Sequence, residues 1–188
     1  MDFAILRFYH ALAESAGGFL TPVLGIFTLT AWKGALFIAL SLVLICFRKT
    51  RRTGLCALLA IGLGALFTNV LLKPVVARPR PYDFDATLRQ WWVFVGAPAE
   101  TGFSFPSGHT TAACAFATGF ILTRGRKWIV PGALYAALMG ASRNYLMVHY
   151  PSDVLGGFVT GAAAGVLAFL AIRAVYRRWG GTKFLREE

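Results

Sequence analysis

The sequence predicts an all-α integral membrane protein, a helical bundle of five to six transmembrane helices, and three observations carry that expectation. Hydrophobic residues make up 57% of the 188 and charged residues only 14%, where a soluble domain carries roughly a quarter charged. Mean hydropathy is +0.62. Uncharged runs recur at lengths near the ~20 residues that a helix needs to cross a bilayer core of about 30 Å. The length suits a single domain.

The first element is ambiguous. "MDFAILRFYHALAE" spaces apolar residues at helical intervals with Arg7, His10 and Glu14 among them, the pattern of a helix lying in the membrane interface. It lacks the basic stretch and clean apolar core of a signal peptide. The next run, "SAGGFLTPVLGIFTLTAW", is uncharged and long enough for a short sixth span. Segment 1–33 is therefore expected to be interfacial or a first span, with the interfacial placement preferred. Five further spans are expected from residues 34–47, 53–72, 107–123, 128–142 and 154–172. Gly and Ala are frequent in them, which suits close helix packing in lipid. Residues 176–188 form a basic tail. Cys46, Cys56 and Cys114 lie in or beside apolar runs with no ligand spacing, which argues against a disulfide framework or a zinc site.

Charge orients the bundle. The formal net charge is +11. Four basic residues sit in "RKTRR", three in "RGRK", and five (Arg173, Arg177, Arg178, Lys183 and Arg186) after residue 172, together twelve of the nineteen Lys and Arg. Five alternating spans put all twelve on one side, the cytoplasmic side by the positive-inside rule. The basic residues do not gather on one polar stretch, so nucleic acid is not an expected partner; membrane lipids are.

That topology leaves a second set of charges facing outward. Lys73, Arg78 and Arg80 lie in "LKPVVARPRP", Ser107 and His109 in "FPSGHT", and Arg143, His149 and Asp153 in "SRNYLMVHYPSD". Snorkelling accounts for one such residue at a helix end, but poorly for several. Pro106, Ser107 and Gly108 are ordinary helix-start chemistry, yet a helix N-terminus with free N–H groups also receives anions.

Together the three stretches resemble the signature motifs of the type 2 phosphatidic acid phosphatase superfamily. Lys73, Arg80 and Pro81 match K-x6-R-P; Pro106, Ser107, Gly108 and His109 match P-S-G-H; Ser142, Arg143, His149 and Asp153 match S-R-x5-H-x3-D. The resemblance covers roughly residues 34–175, the expected membrane phosphatase domain. It implies that His149 is the nucleophile forming a phosphohistidine, that Asp153 orients and supports it, and that His109 is the general acid and then base. Lys73, Arg80, Arg143, Ser107 and Gly108 would bind the substrate phosphate. A neutral imidazole is nucleophilic near neutral pH, and positioning with fixed positive charge serves phosphoryl transfer. No cofactor and no metal are implied. Asp83, Asp85 and Glu100 are expected to be solvated in the outer loop, and Arg78 falls outside the motif.

The expected protein is a multi-pass cell-membrane lipid phosphatase with its site facing outside. Undecaprenyl diphosphate is the first substrate implied. Phosphatidylglycerophosphate, phosphatidic acid and lipid A phosphates are alternatives, as is phosphotransfer to another lipid at the same site. The vanadium haloperoxidases share the constellation, but they are soluble. A non-enzymatic lipid transporter would want the basic residues without needing two histidines and an aspartate at these spacings. Oligomeric state is not legible in the sequence.

The charge asymmetry generates a direct test. In intact cells, a cysteine placed by Thr50→Cys should resist a membrane-impermeant thiol reagent and one placed by Ala86→Cys should react; the reverse pattern would invert the topology.

Overall fold

A computed structural model of the protein describes residues 1–179. The rest of the basic tail, with Lys183 and Arg186, lies outside the described residues. All regular structure among those described is helical. Helix α1 spans Asp2–Leu29, α2 Ala35–Cys46 and α3 Arg51–Ala65; a π-helical stretch, Leu66–Leu72, continues α3 into α4, Lys73–Val76. Short α5 (Pro81–Phe84) and α6 (Ala86–Val95) come next, then α7 (Gly108–Arg124), α8 (Ile129–Tyr145) and α9 (Pro151–Trp179). By length and composition, Asp2–Cys46, Arg51–Phe84 and Pro151–Trp179 suffice to cross a membrane. Large apolar side chains such as Phe19, Leu42, Val70 and Val159 are exposed on the outer surface, as lipid contact requires and water does not favour.

Helix α9 is the spine, and its glycines make it so. A Cβ at Gly157 would come within 2.9 Å of the Ser107 carbonyl, one at Gly161 within 2.6 Å of the Thr111 carbonyl, and one at Gly165 within 2.5 Å of Thr118 Cβ. These positions recur every four residues and share one helix face, so the α9 backbone lies directly against α7. Without a hydrophobic drive between helices in lipid, such close backbone packing supplies the association. The contact brings the start of α7, with His109, beside the start of α9, with Asp153; the Ser107 N–H donates to the Asp153 carbonyl at 3.0 Å.

The basic segments gather at the opposite end. Arg124 donates to the Lys49 carbonyl at 3.3 Å, which joins the α7–α8 connection to the α2–α3 connection. Arg52 lies over the Tyr176 ring, 5.5 Å from its centroid, at the far end of α9. The two basic loops and the end of α9 thus share one end of the bundle, as the charge pattern expects.

Helix α1 is continuous through Pro22 and all but reaches the next turn. Its Leu6 and Ala13 are buried with Tyr82, Leu88 and Val95 and with the 145–150 turn. Asp2 bonds Ser152, and Thr28 bonds Arg143. The start of α1 thus contacts the start of α9, and its last turns contact the end of α8 and, through Phe27, Tyr135 further along that helix.

The α7–α9 contact is testable. Gly161→Ala should destabilise the bundle by about 1–3 kcal/mol, since the methyl meets backbone that cannot move aside, and lower Tm in detergent by several degrees. Gly62→Ala, where nothing lies within 4 Å, should leave Tm unchanged or slightly raised.

Candidate active site

Four segments bring their polar residues to the end of the bundle where α7 and α9 begin. The first is the extended stretch after α4. Ala77 adopts φ 46 and closes the helix, and Pro79 and Pro81 keep the chain beyond it from coiling again at once. Arg80 is thereby carried inward, where it is 2% exposed. Its guanidinium donates to the carbonyls of Gly102 (3.1 Å), Val148 (2.9 Å) and Thr101 (3.3 Å). These bonds fix the plane of the group.

The second segment is the end of α8 and the turn beyond it. Arg143 is buried and donates to the Thr28 hydroxyl. Ser142, also buried, donates to the Met139 carbonyl within its own helix. Met147 takes φ 57, a conformation that costs a non-glycine residue energy and that burial of its side chain holds in place. The turn points His149 inward.

His149 is 1% exposed and Asp153 fully buried. Nδ1 of His149 lies 3.5 Å from Asp153 Oδ2, and Nε2 lies 3.4 Å from Arg80 Nη1. A ring nitrogen facing a guanidinium presents a lone pair, so the other, facing the carboxylate, carries the proton. Burial, reinforced by the nearby Arg80 and Arg143 charges, pushes the imidazole down to about 3 against the opposing hydrogen bond that its N–H donates to Asp153. His149 is therefore neutral at physiological pH with Nε2 directed at the site. Asp153 Oδ2 also accepts from the Ser104 hydroxyl and from the Tyr150 N–H at 2.9 Å.

The third segment is the start of α7. Gly108 and His109 line a cavity of ≈490 Å³ together with Lys73, Arg80 and His149. Ser107 is not on that wall. Its hydroxyl is fully buried and accepts from Thr110 at 3.0 Å, while its backbone carbonyl accepts from Thr111. The sequence-expected cradle residues Lys73, Arg80, Gly108, His109 and His149 thus converge on one cavity and Arg143 adjoins it, whereas Ser107 fastens the helix that presents them.

The fourth segment, residues 96–107, supplies a residue that the sequence did not mark. Glu100, expected in solvent, is 22% exposed and places its carboxylate among the cations. Oε2 is 2.9 Å from Arg80 Nη1 and 3.7 Å from His149 Nε2; Oε1 pairs with Arg143 Nη2 and is 3.9 Å from His109 Nδ1. One carboxylate therefore touches both arginines and both histidines of the motifs. Glu100, together with Trp32, Ala99 and His109, also lines a second cavity of ≈410 Å³ that Arg143 borders along with apolar groups such as Leu29, Val95 and Leu146. Arg78, which the motif does not include, faces away from this cavity and pairs with Asp153 at 2.7 Å. No local signal marked Glu100; it lies in an irregular segment, and its partners come from three distant parts of the chain.

The chain is similar to known proteins over most of its length. Residues 53–177 match the family model of the PAP2 superfamily. The chain is 28% identical over 137 residues to an undecaprenyl-diphosphatase of Sulfolobus acidocaldarius, covering 73% of this chain and 62% of that protein. It is 37% identical over 138 residues to phosphatidylglycerophosphatase B of Bacillus subtilis, covering 68% and 59% respectively. The chain thus spans about three-fifths of the length of these curated relatives. The crystal structure of a transmembrane PAP2-type phosphatidylglycerolphosphate phosphatase from Bacillus subtilis aligns with a TM-score of 0.61 at 27% identity, covering 96% of this chain and 90% of that one.

The position of Glu100 makes a prediction about anion binding. An incoming oxyanion competes with a resident carboxylate, and its apparent affinity is lowered by the fraction of sites the carboxylate fills. Glu100→Gln should therefore tighten binding of inorganic vanadate by roughly tenfold, the scale of one charge-assisted hydrogen bond. Direct titration of the purified protein reads this; weaker binding in the variant would mean that Glu100 supports the cradle instead of filling it.

Proposed function

The chain belongs to the PAP2 superfamily, and from that premise we propose that it is a membrane lipid phosphatase acting on a polyprenyl diphosphate through a phosphohistidine. The observation that carries this reading is the carboxylate of Glu100 held between Arg80, Arg143, His109 and His149. A carboxylate is a two-oxygen anion, and the groups that grip it are those that would grip a phosphoryl group. Replacing it with substrate phosphate puts phosphorus opposite His149 Nε2 with both guanidinium groups on its oxygens.

In the proposed reaction, His149 Nε2 forms a bond to phosphorus as the bond to the leaving oxygen breaks. His109 gives that oxygen its proton. Positive charge grows on the His149 ring, and Asp153 beside Nδ1 stabilises it. Water then attacks the phosphohistidine, His109 takes its proton, and inorganic phosphate leaves. The chain's own cations neutralise the phosphoryl charge.

The substrate class rests on size and charge. A cavity of ≈490 Å³ that reaches Lys33 as well as Lys73 and Arg80 has room and charge for a second phosphate. Arg78 does not contribute, since it is engaged with Asp153. The phosphatidylglycerophosphatase relatives favour a phosphatidyl lipid as the second reading. The grouping of basic residues supports a site end that faces outside the cell membrane, with α1 in the interface over domain 34–175 and the tail 176–188 in the cytoplasm. Held at headgroup level, the phosphate meets the site while its tail stays in the bilayer, which lowers the entropic barrier.

The test is phosphate release in mixed micelles from polyprenyl diphosphate, phosphatidylglycerophosphate, phosphatidic acid and a water-soluble ester, with and without chelator. The diphosphate should show the highest kcat/KM and the soluble ester the lowest, with chelator having no effect. His149→Ala should abolish turnover and any trapped phosphoenzyme. Faster turnover of a phosphatidyl lipid would select the second reading, and near-normal turnover by His149→Ala would remove the mechanism.

A further inference from the structure

Asp153 has two carboxylate oxygens, and they face different ways. Oδ2 receives the Ser104 hydroxyl and the Tyr150 N–H and faces His149. Oδ1 receives Arg78 Nη1 at 2.7 Å. Arg78 lies outside the signature motifs. It lines neither cavity beside Glu100, but a separate surface groove with Asp2, Pro79 and Tyr150, so it does not reach the phosphoryl site.

Arg78 is itself held on three sides. Its guanidinium carbon sits 3.8 Å from the Tyr150 ring centroid, a cation–π contact. Nη1 also donates to the Ser152 hydroxyl at 2.7 Å. Nη2 donates to Asp2 Oδ2 at 3.0 Å. Asp2 is pinned in turn, accepting from the Ser152 N–H at 3.0 Å and from the Ser152 hydroxyl at 2.6 Å. A continuous chain of charge-assisted bonds therefore runs from the start of α1 through Arg78 and Asp153 to His149.

We infer that Arg78 is a positioning residue for the nucleophile, acting through Asp153, and that Asp2 of α1 positions Arg78. The physical reason is burial. Asp153 is fully buried, and a buried carboxylate oxygen without a partner is costly. With Oδ1 clamped by Arg78, the carboxylate cannot rotate, and Oδ2 stays aimed at Nδ1 of His149. Without the clamp, Oδ1 must seek another donor, and the orientation that supports a developing imidazolium is lost. This inference rests on the proposed role of His149.

The experiment is a double-mutant cycle on the full-length protein in detergent, read by kcat, KM and vanadate affinity. Arg78→Gln should lower kcat roughly tenfold or more, the usual scale for an outer partner of a reacting group, with KM and vanadate affinity unchanged. Arg78→Lys should recover part of the loss. In an Asp153→Asn background, Arg78→Gln should cost less than about twofold further, because a residue acting through Asp153 has nothing left to act on. Asp2→Asn, which leaves Arg78 in place, should give a smaller kcat loss that also vanishes in that background, and it carries the test if Arg78→Gln does not fold. Additive losses, weakened vanadate binding in folded Arg78 variants, or unchanged kcat would each overturn the inference. Activity in His149→Ala would instead overturn the reading beneath it.

Discussion

An apolar bundle can keep buried cations at its end only if each is met by opposite charge or by oriented carbonyls, and that requirement organises this molecule. Arg80 and Arg143 are each 2% exposed. A desolvated ion left unpaired is penalised by several kcal/mol. Arg80 is answered by three backbone carbonyls and Glu100, and Arg143 by Thr28 and Glu100. Apart from Thr28 on α1, the segments that supply these partners are irregular: 96–107 and the 146–150 turn. They are irregular because helices satisfy their own carbonyls and so have none to offer a guanidinium. The departures from helix at this end are thus part of how the charges are held.

The rigid part of the design lies beneath. Gly157, Gly161 and Gly165 let the α9 backbone meet the α7 backbone and the Thr118 side chain, which fixes where two helix starts fall relative to each other. His109 and Asp153 occupy those starts. Ser107 contributes to this layer, with its N–H on the Asp153 carbonyl and its own carbonyl closing the first turn of α7. A serine that reads as a phosphate ligand in the sequence is thereby bound into the packing of the site floor.

Much of this was legible in the sequence, for identifiable reasons. Hydropathy at helical length marks the bundle, and basic residues in short loops mark the end that the structure brings together. Motif spacing names Arg80, His109, Arg143, His149 and Asp153, since each motif sits at a helix terminus and local spacing fixes its reach. The hidden part is long-range. Glu100 meets partners from residues 80, 109, 143 and 149, and Asp2 meets residues 78 and 152. Neither falls in a signature motif, and the partners of each are set by the tertiary fold, so Glu100 reads as solvated and Asp2 carries no signal. The direction of Arg78 was hidden because an extended chain puts residues two apart on one face, which would send Arg78 the same way as Arg80; its side chain goes instead to Asp2 and Asp153, partners that only the tertiary fold supplies.

The two carboxylates of the site divide the work by how firmly each is held. Asp153 is fully buried, with Arg78, Ser104, Tyr150 and His149 around it on a 29-residue helix. Glu100 is 22% exposed, and the bonds of its carboxylate go to the very groups a phosphate would claim. Displacing Asp153 would strand the Ser104 hydroxyl, the Tyr150 N–H and His149 Nδ1 in the interior and take from Arg78 one of its two carboxylate partners. Displacing Glu100 strands nothing once another anion has arrived, because the incoming oxyanion satisfies the same arginines and the released carboxylate has solvent within reach. Burial therefore ranks them: the carboxylate beside His149 is the one that cannot leave, and the carboxylate that neutralises Arg80 and Arg143 is the one that can.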